Sequence, residues 1–208
     1  MNLPNKLTLL RVLLIPVIVV IAWLPSLRII VWNHFLLCNL IMLAIFIIAS
    51  ITDFLDGYIA RKHNLITTFG KFADPLADKL LVLALMIILI VQGSLLRGYF
   101  VIIILSREFI VTGFRVIAAE KQIVISAGML GKIKTTMQML MIMMLLLDGP
   151  FSGTWTVWQI LIMIWICLTT LMTIISGIDY IVRNKDVFNG KQVEKNDWRK
   201  RKGVSGSV

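Results

Sequence analysis

Six long apolar runs, separated by short charged or turn-forming stretches, constrain this chain more than any other feature. They extend roughly from Asn5 to Leu24, Trp32 to Ala60, Gly70 to Val91, Tyr99 to Ala119, Gly128 to Leu147 and Thr154 to Ile181. A helix that crosses the hydrocarbon of a bilayer needs about 20 mostly apolar residues, and each run is long enough. The expected fold is therefore all-α, an integral membrane protein of six transmembrane helices. The connections are short, with no second domain and no internal repeat, so residues 1–184 are expected to form one bundle. Residues 185–208 read as a polar, basic, loosely ordered cytoplasmic tail. A hydrophobic share of 59% exceeds the roughly one half expected of a soluble domain and points the same way.

The net charge of +10 does not call for nucleic acid, because the basic residues flank the apolar runs and crowd the tail KQVEKNDWRKRKG. That placement encodes orientation and contact with anionic membrane lipids. Lys6, Arg11, Arg61, Lys62, Lys71, Lys121, Lys132, Lys134 and the tail fall on one side, and little more than Arg28 and Arg97 falls on the other. The positive-inside rule then puts both termini, and the loops after the second and fourth helices, in the cytoplasm. The first run has no small-residue cleavage site behind it and is expected to be a span, not a signal peptide. Cys38 and Cys167 lie inside apolar runs and suggest neither a disulfide framework nor a metal site.

Against this background the stretch DFLDGYIARKHNLITTFGKFADPLAD, Asp53 to Asp78, stands out for its four carboxylates. At about 100° per residue, Asp53, Asp56, Gly57 and Ala60 share one helix face, and Asp74 and Asp78 share a face at the start of the next helix. With a short loop between them the two helices are antiparallel neighbours, so the acid faces can meet at one cytoplasmic depth. Four converging carboxylates at a bilayer edge repel one another and are costly to desolvate; a cation between them relieves both costs. An all-oxygen donor set favours Mg²⁺ or Mn²⁺ over zinc, and four carboxylates suffice for two divalent ions that hold phosphate oxygens. Gly57, Ala60 and Gly70 leave backbone bare beside them, and Arg61 offers a fork for phosphate. Single members have local explanations: Asp74-Pro75 has the form of a helix N-cap with proline following, and Gly57 with Ala60 that of small-residue packing. The whole spacing, D-x2-D-G-x2-A-R-x8-G-x3-D-x3-D, argues against coincidence.

That pattern resembles the signature of the CDP-alcohol phosphotransferases, and no departure from it occurs in this chain. The resemblance implies a six-helix membrane enzyme that moves a phosphatidyl group from CDP-diacylglycerol to an alcohol and releases CMP. It implies metal binding by Asp53, Asp56, Asp74 and Asp78, with Asp78 also the general base. It implies too that Gly57, Ala60, Arg61, Thr67 and Gly70 line the CDP pocket, and that the enzyme is a homodimer.

The acceptor is read from other segments. Arg107 and Arg115 in SREFIVTGFR are eight apart on the fourth helix, on roughly one side, and arginine within a span is a functional candidate by default. Lys132, Lys134, Thr135 and Gln138 in GKIKTTMQ are expected at the cytoplasmic edge of the fifth helix. Four cations near four acids suggest an anionic acceptor. Glu108 is an alternative partner for Arg107, discounted because adjacent helical residues do not face each other. Positive-inside flanking is the alternative for Lys132 and Lys134; being two apart they point nearly opposite ways, and the sequence leaves open which one enters the pocket. With the N-terminal LPNKLTLLR, these segments resemble bacterial phosphatidylglycerophosphate synthases. That likeness implies sn-glycerol 3-phosphate as acceptor, a bacterial inner-membrane location, and Asn5, Thr8 and Arg11 beside nucleotide and lipid head group; capping and topology signalling are their local alternatives. Cardiolipin synthases share parts of these motifs. A divalent-cation transporter using the same acids is a further alternative, although transport acids are expected near the midplane on broken helices, whereas these cluster toward one face. His63 reads as a solvated loop residue, His34 as an interface residue on the far side, and MQMLMIMMLLL as an adaptable apolar surface. Trp155, Trp158 and Trp198 read as interfacial anchors, and Asp179 with Arg183 as a helical ion pair.

Overall fold

The computed structural model describes the backbone of residues 3–32, 35–63, 68–120, 128–148 and 156–184, and side chains at 9–30, 36–52, 79–118, 128–148 and 156–184. Among the described residues six helices follow the six apolar runs: α1 Leu3–Trp23, α2 Leu37–His63, α3 Thr68–Val91, α4 Gly98–Glu120, α5 Met129–Leu146 and α6 Val157–Arg183. The tail from 185 lies outside the described residues.

The largest displacement is at the start of α2, expected near Trp32 and found at Leu37. The residues before it form a small antiparallel ribbon, β1 Ile30–Trp32 and β2 Phe35–Leu36, with Ile30 opposite Leu36 and Trp32 opposite Phe35. The ribbon replaces the first turn expected of the second helix and leaves the fold all-α in its architecture. β-Branched and aromatic residues suit extended backbone, and the Leu37 N–H donates to the Ile29 carbonyl at 2.9 Å, tying the entry of α2 to the ribbon.

Helix ends are set by local chemistry. α3 closes with a Schellman motif: the Ser94 N–H donates to Leu89 O at 3.1 Å and the Gly93 N–H to Ile90 O at 3.0 Å, with Gly93 left-handed at φ 77°. A Cβ there meets no neighbouring atom, so the cost of substitution is backbone strain. Gly93→Ala is expected to destabilise the protein by about 1–2 kcal/mol, read as a lowered Tm in detergent. α6 opens with a capping box in which Gln159 N–H donates to Thr156 Oγ1 at 3.3 Å and Thr156 N–H to Gln159 Oε1 at 3.2 Å.

The helices pack around one apolar core that includes Ile18, Met42, Phe46, Leu85, Ile104, Met141, Ile142 and Ile166. Among the described residues α1 packs on α2 and α3, α5 on α2, α3 and α6, and α4 on α6 and α3. The outer faces are as apolar as the core: Leu13, Val20, Ile48, Ile102, Phe109, Ile178 and Val182 are each more than half exposed. Apolar surface on this scale is not tolerated in water, and the protein is a membrane protein. By length and apolarity α5 and α6 suffice to cross a bilayer. Leu9–Trp23, Leu37–Thr52 and Lys79–Val91 form shorter apolar stretches among the described residues, while α4 carries Arg107, Glu108 and Arg115.

Candidate active site

The acids of the signature fall where α2 ends and α3 begins. Asp53, Asp56, Gly57, Ala60 and Arg61 occupy about the last three turns of α2, and Gly70, Asp74 and Asp78 about the first three of α3. Thr67 lies between them, outside the described residues, as do the side chains from 53 to 78 and those of Asn5 and Thr8 on α1. Arg11, also on α1, is buried.

The described part of the site begins at Lys79, the residue after Asp78. Its ammonium lies 3.5 Å from Oε2 of Glu108 and within hydrogen-bond reach of Thr112 Oγ1. Thr112, one turn beyond Glu108, in turn donates to the Glu108 carbonyl at 2.7 Å. Glu108 Oε1 accepts from Arg107 Nη1 at 3.0 Å and from the Lys134 ammonium. One carboxylate on α4 thus gathers cations from α3, α4 and α5.

Burial makes this arrangement consequential. The Lys134 residue is 1% exposed, and an ammonium that far from water costs several kcal/mol unless paired. Three cations less one carboxylate leave two positive charges in excess among the described residues of this cluster.

Arg107 reaches the cluster through a slot between two glycines. A Cβ on Gly177 of α6 would lie 3.0 Å from Arg107 Cγ, and one on Gly131 of α5 would lie 3.8 Å from Nη2. The missing side chain at Gly177 makes room for the stem of Arg107, whereas a Cβ on Gly131 would make ordinary van der Waals contact with the guanidinium. Its Nε is buried with no hydrogen-bond partner among the described residues.

Sequence periodicity left two points open or misjudged. It did not distinguish Lys132 from Lys134; Lys134 is buried in the cluster and Lys132 is exposed. It discounted Glu108 as a partner of Arg107 on helical geometry, yet the two are paired. Adjacent side chains leave the helix about 100° apart, but a long guanidinium folded along the slot meets a carboxylate already drawn by Lys134. Lys79 and Glu108 went unassigned as site residues. The signal for both was their cost as charges inside apolar runs, the same signal that marked Arg107.

Arg115 is exposed on the same helix, with its guanidinium carbon 5.8 Å from the ring centroid of Tyr180. The Tyr180 ring also meets Phe114 edge-on at 6.3 Å. Both arginines therefore face α6, as their spacing predicts, but Arg115 is not one of the cations on Glu108. Gln138, expected at the cytoplasmic edge, is buried, with Nε2 3.6 Å from Met86 Sδ; Thr135 is exposed and donates to Gly131 O at 3.0 Å. Asp179 and Arg183 form the expected pair at 2.7 Å. Trp158 is exposed; Trp155, Trp198, His34 and the side chain of His63 lie outside the described residues.

Residues 1–173 match the family model described as CDP-alcohol phosphatidyltransferase. The chain belongs to this family. Its similarity to named relatives runs over most of its length. A Bacillus subtilis protein named "CDP-diacylglycerol--glycerol-3-phosphate 3-phosphatidyltransferase" is 46% identical over 194 residues, covering 88% of this chain and 95% of the relative. A Rickettsia typhi protein of the same name is 39% identical, covering 90% and 99%. A Mycobacterium tuberculosis protein named "Probable phosphatidylglycerophosphate synthase" is 36% identical, covering 88% and 81%. Membership extends from α1 into α6, so the acidic helix ends and the Glu108 cluster both lie within the family region.

Proposed function

We propose that this CDP-alcohol phosphatidyltransferase moves a phosphatidyl group from CDP-diacylglycerol to sn-glycerol 3-phosphate, giving phosphatidylglycerophosphate and CMP in phospholipid biosynthesis. The family and the names of its relatives support the reaction class. The observation that carries the acceptor is the excess of positive charge around Glu108 of α4, whose partner Lys79 directly follows Asp78 on α3. A phosphomonoester carries close to two negative charges at neutral pH, matching that excess. A phosphodiester lipid such as phosphatidylglycerol carries one charge and fits it less well.

The acceptor's phosphate sits on Lys134 and Arg107, with Lys132 and Arg115 at the approach. Its hydroxyl then points toward Asp78, which takes the proton as the oxygen attacks the diacylglycerol-bearing phosphorus. The new P–O bond replaces the bond to the bridging oxygen, and CMP leaves with that electron pair. Asn5, Thr8, Gly57, Ala60, Arg61, Thr67 and Gly70, with Asp53 and Asp56, hold CDP-diacylglycerol. Among the described residues there is no group of three His, Cys, Asp or Glu able to hold a metal. The donor set of Asp53, Asp56, Asp74 and Asp78 is all carboxylate and suits two hard divalent cations, Mg²⁺ or Mn²⁺. Such ions, when bound, neutralise diphosphate charge and ease nucleotide departure. All six helices span the bacterial inner membrane, both termini and the site face the cytoplasm, and the protein forms a homodimer through apolar outer faces.

A panel of labelled acceptors tests the assignment. Purified protein in vesicles containing CDP-diacylglycerol and Mn²⁺ is expected to incorporate glycerol 3-phosphate into lipid, in preference to serine, inositol phosphate or phosphatidylglycerol. Preference for phosphatidylglycerol would make it a cardiolipin synthase.

A further inference from the structure

We infer that Glu108 is the positioning residue of the acceptor site, holding Lys134 and Arg107 in the geometry that receives the acceptor's phosphate. The inference rests on the acceptor reading above and adds a residue to which that reading gives no role.

Three cations brought together by three helices repel one another, and each would otherwise turn toward solvent or a different acid. Glu108 is the acid they share: Oε1 takes Arg107 Nη1 and Lys134, while Oε2 faces Lys79 at 3.5 Å. The Glu108 side chain is 18% exposed and that of Lys134 only 2%, so water screens the pair weakly and its geometry is held. Arg107 is confined by the glycine slot, and fixing Nη1 on Glu108 fixes the plane of the whole guanidinium. The buried Nε, without a partner among the described residues, and Nη2 remain to donate. Lys134 has two further ammonium protons beyond the one given to Glu108. Glu108 thus orients donors without consuming all of them, and leaves the cluster positive. A preorganised pair of this kind gains affinity because little ordering remains to be done on binding.

Two substitutions separate positioning from simple charge balance. Glu108→Gln keeps the shape and loses the charge. Glu108→Asp keeps the charge but withdraws the carboxylate by about one bond, roughly 1.5 Å. Steady-state assays would measure KM for glycerol 3-phosphate and for CDP-diacylglycerol separately. Glu108→Gln is expected to raise the glycerol 3-phosphate KM at least about tenfold, the size of a lost hydrogen bond to a charged group. Glu108→Asp is expected to raise it severalfold, with the CDP-diacylglycerol KM unchanged in both. If Glu108→Gln does not fold, Glu108→Asp carries the test, because the cluster retains its charge. A Glu108→Asp enzyme with wild-type KM values, or with both KM values raised together, would overturn the positioning role. Wild-type enzyme that fails to use glycerol 3-phosphate while turning over another acceptor would overturn the acceptor reading and this inference with it.

Discussion

Asp78→Asn is expected to abolish measurable turnover while leaving the protein folded and able to bind CDP-diacylglycerol. A positioned general base contributes about 10²- to 10⁴-fold to a rate, and loss of one of the four carboxylates proposed to hold metal adds to that. The amide is nearly isosteric, so helix α3 keeps its packing. CMP release and CDP-diacylglycerol binding, measured on the same preparation, check the result. Activity within tenfold of wild type would reject Asp78 as the base. The effect on acceptor KM is expected to be small beside the effect on kcat, because the proton transfer belongs to the transition state.

Lys134 and Lys132 should behave very differently although they lie two residues apart. Lys134→Met removes a buried cation and is expected to lower kcat/KM for glycerol 3-phosphate by about 10- to 100-fold, the worth of one charge-assisted hydrogen bond. Glu108 keeps Arg107 and Lys79 as partners, so the variant should still fold. Lys132→Met, at an exposed position, is expected to change kcat/KM by less than about fivefold, because solvent-exposed charge interactions are worth under about 1 kcal/mol. Parallel assays of the two variants decide the matter. Equal losses would mean that general attraction of anions, not a specific contact, is at work.

The acidic half of the proposed site comes from a spacing, since helical periodicity places Asp53, Asp56 and Gly57 on one face without any knowledge of the neighbours, and its side chains lie outside the described residues. The cationic half was legible only in part. Arg107 drew attention as a charge inside an apolar run, but Glu108 was discounted by a rule about backbone direction that ignores the reach of a long side chain. The turn of Gln138 into the bundle toward Met86 was not legible, because it depends on how α5 packs. The ribbon before α2 was hidden because its residues are as apolar as a helix would need.

The order and approximate extent of the six helices, the membrane setting and the family were written in the sequence, because hydropathy and i, i+3, i+4 spacing are local properties that each segment carries by itself. The convergence of Lys79, Arg107 and Lys134 on Glu108, the burial of Lys134 beside an exposed Lys132, and the close approach of Arg107 to Gly177 came from the tertiary structure. These depend on the rotation and axial register of one helix against another. Interdigitating side chains across the whole interface set those quantities together, and no single run of residues specifies them.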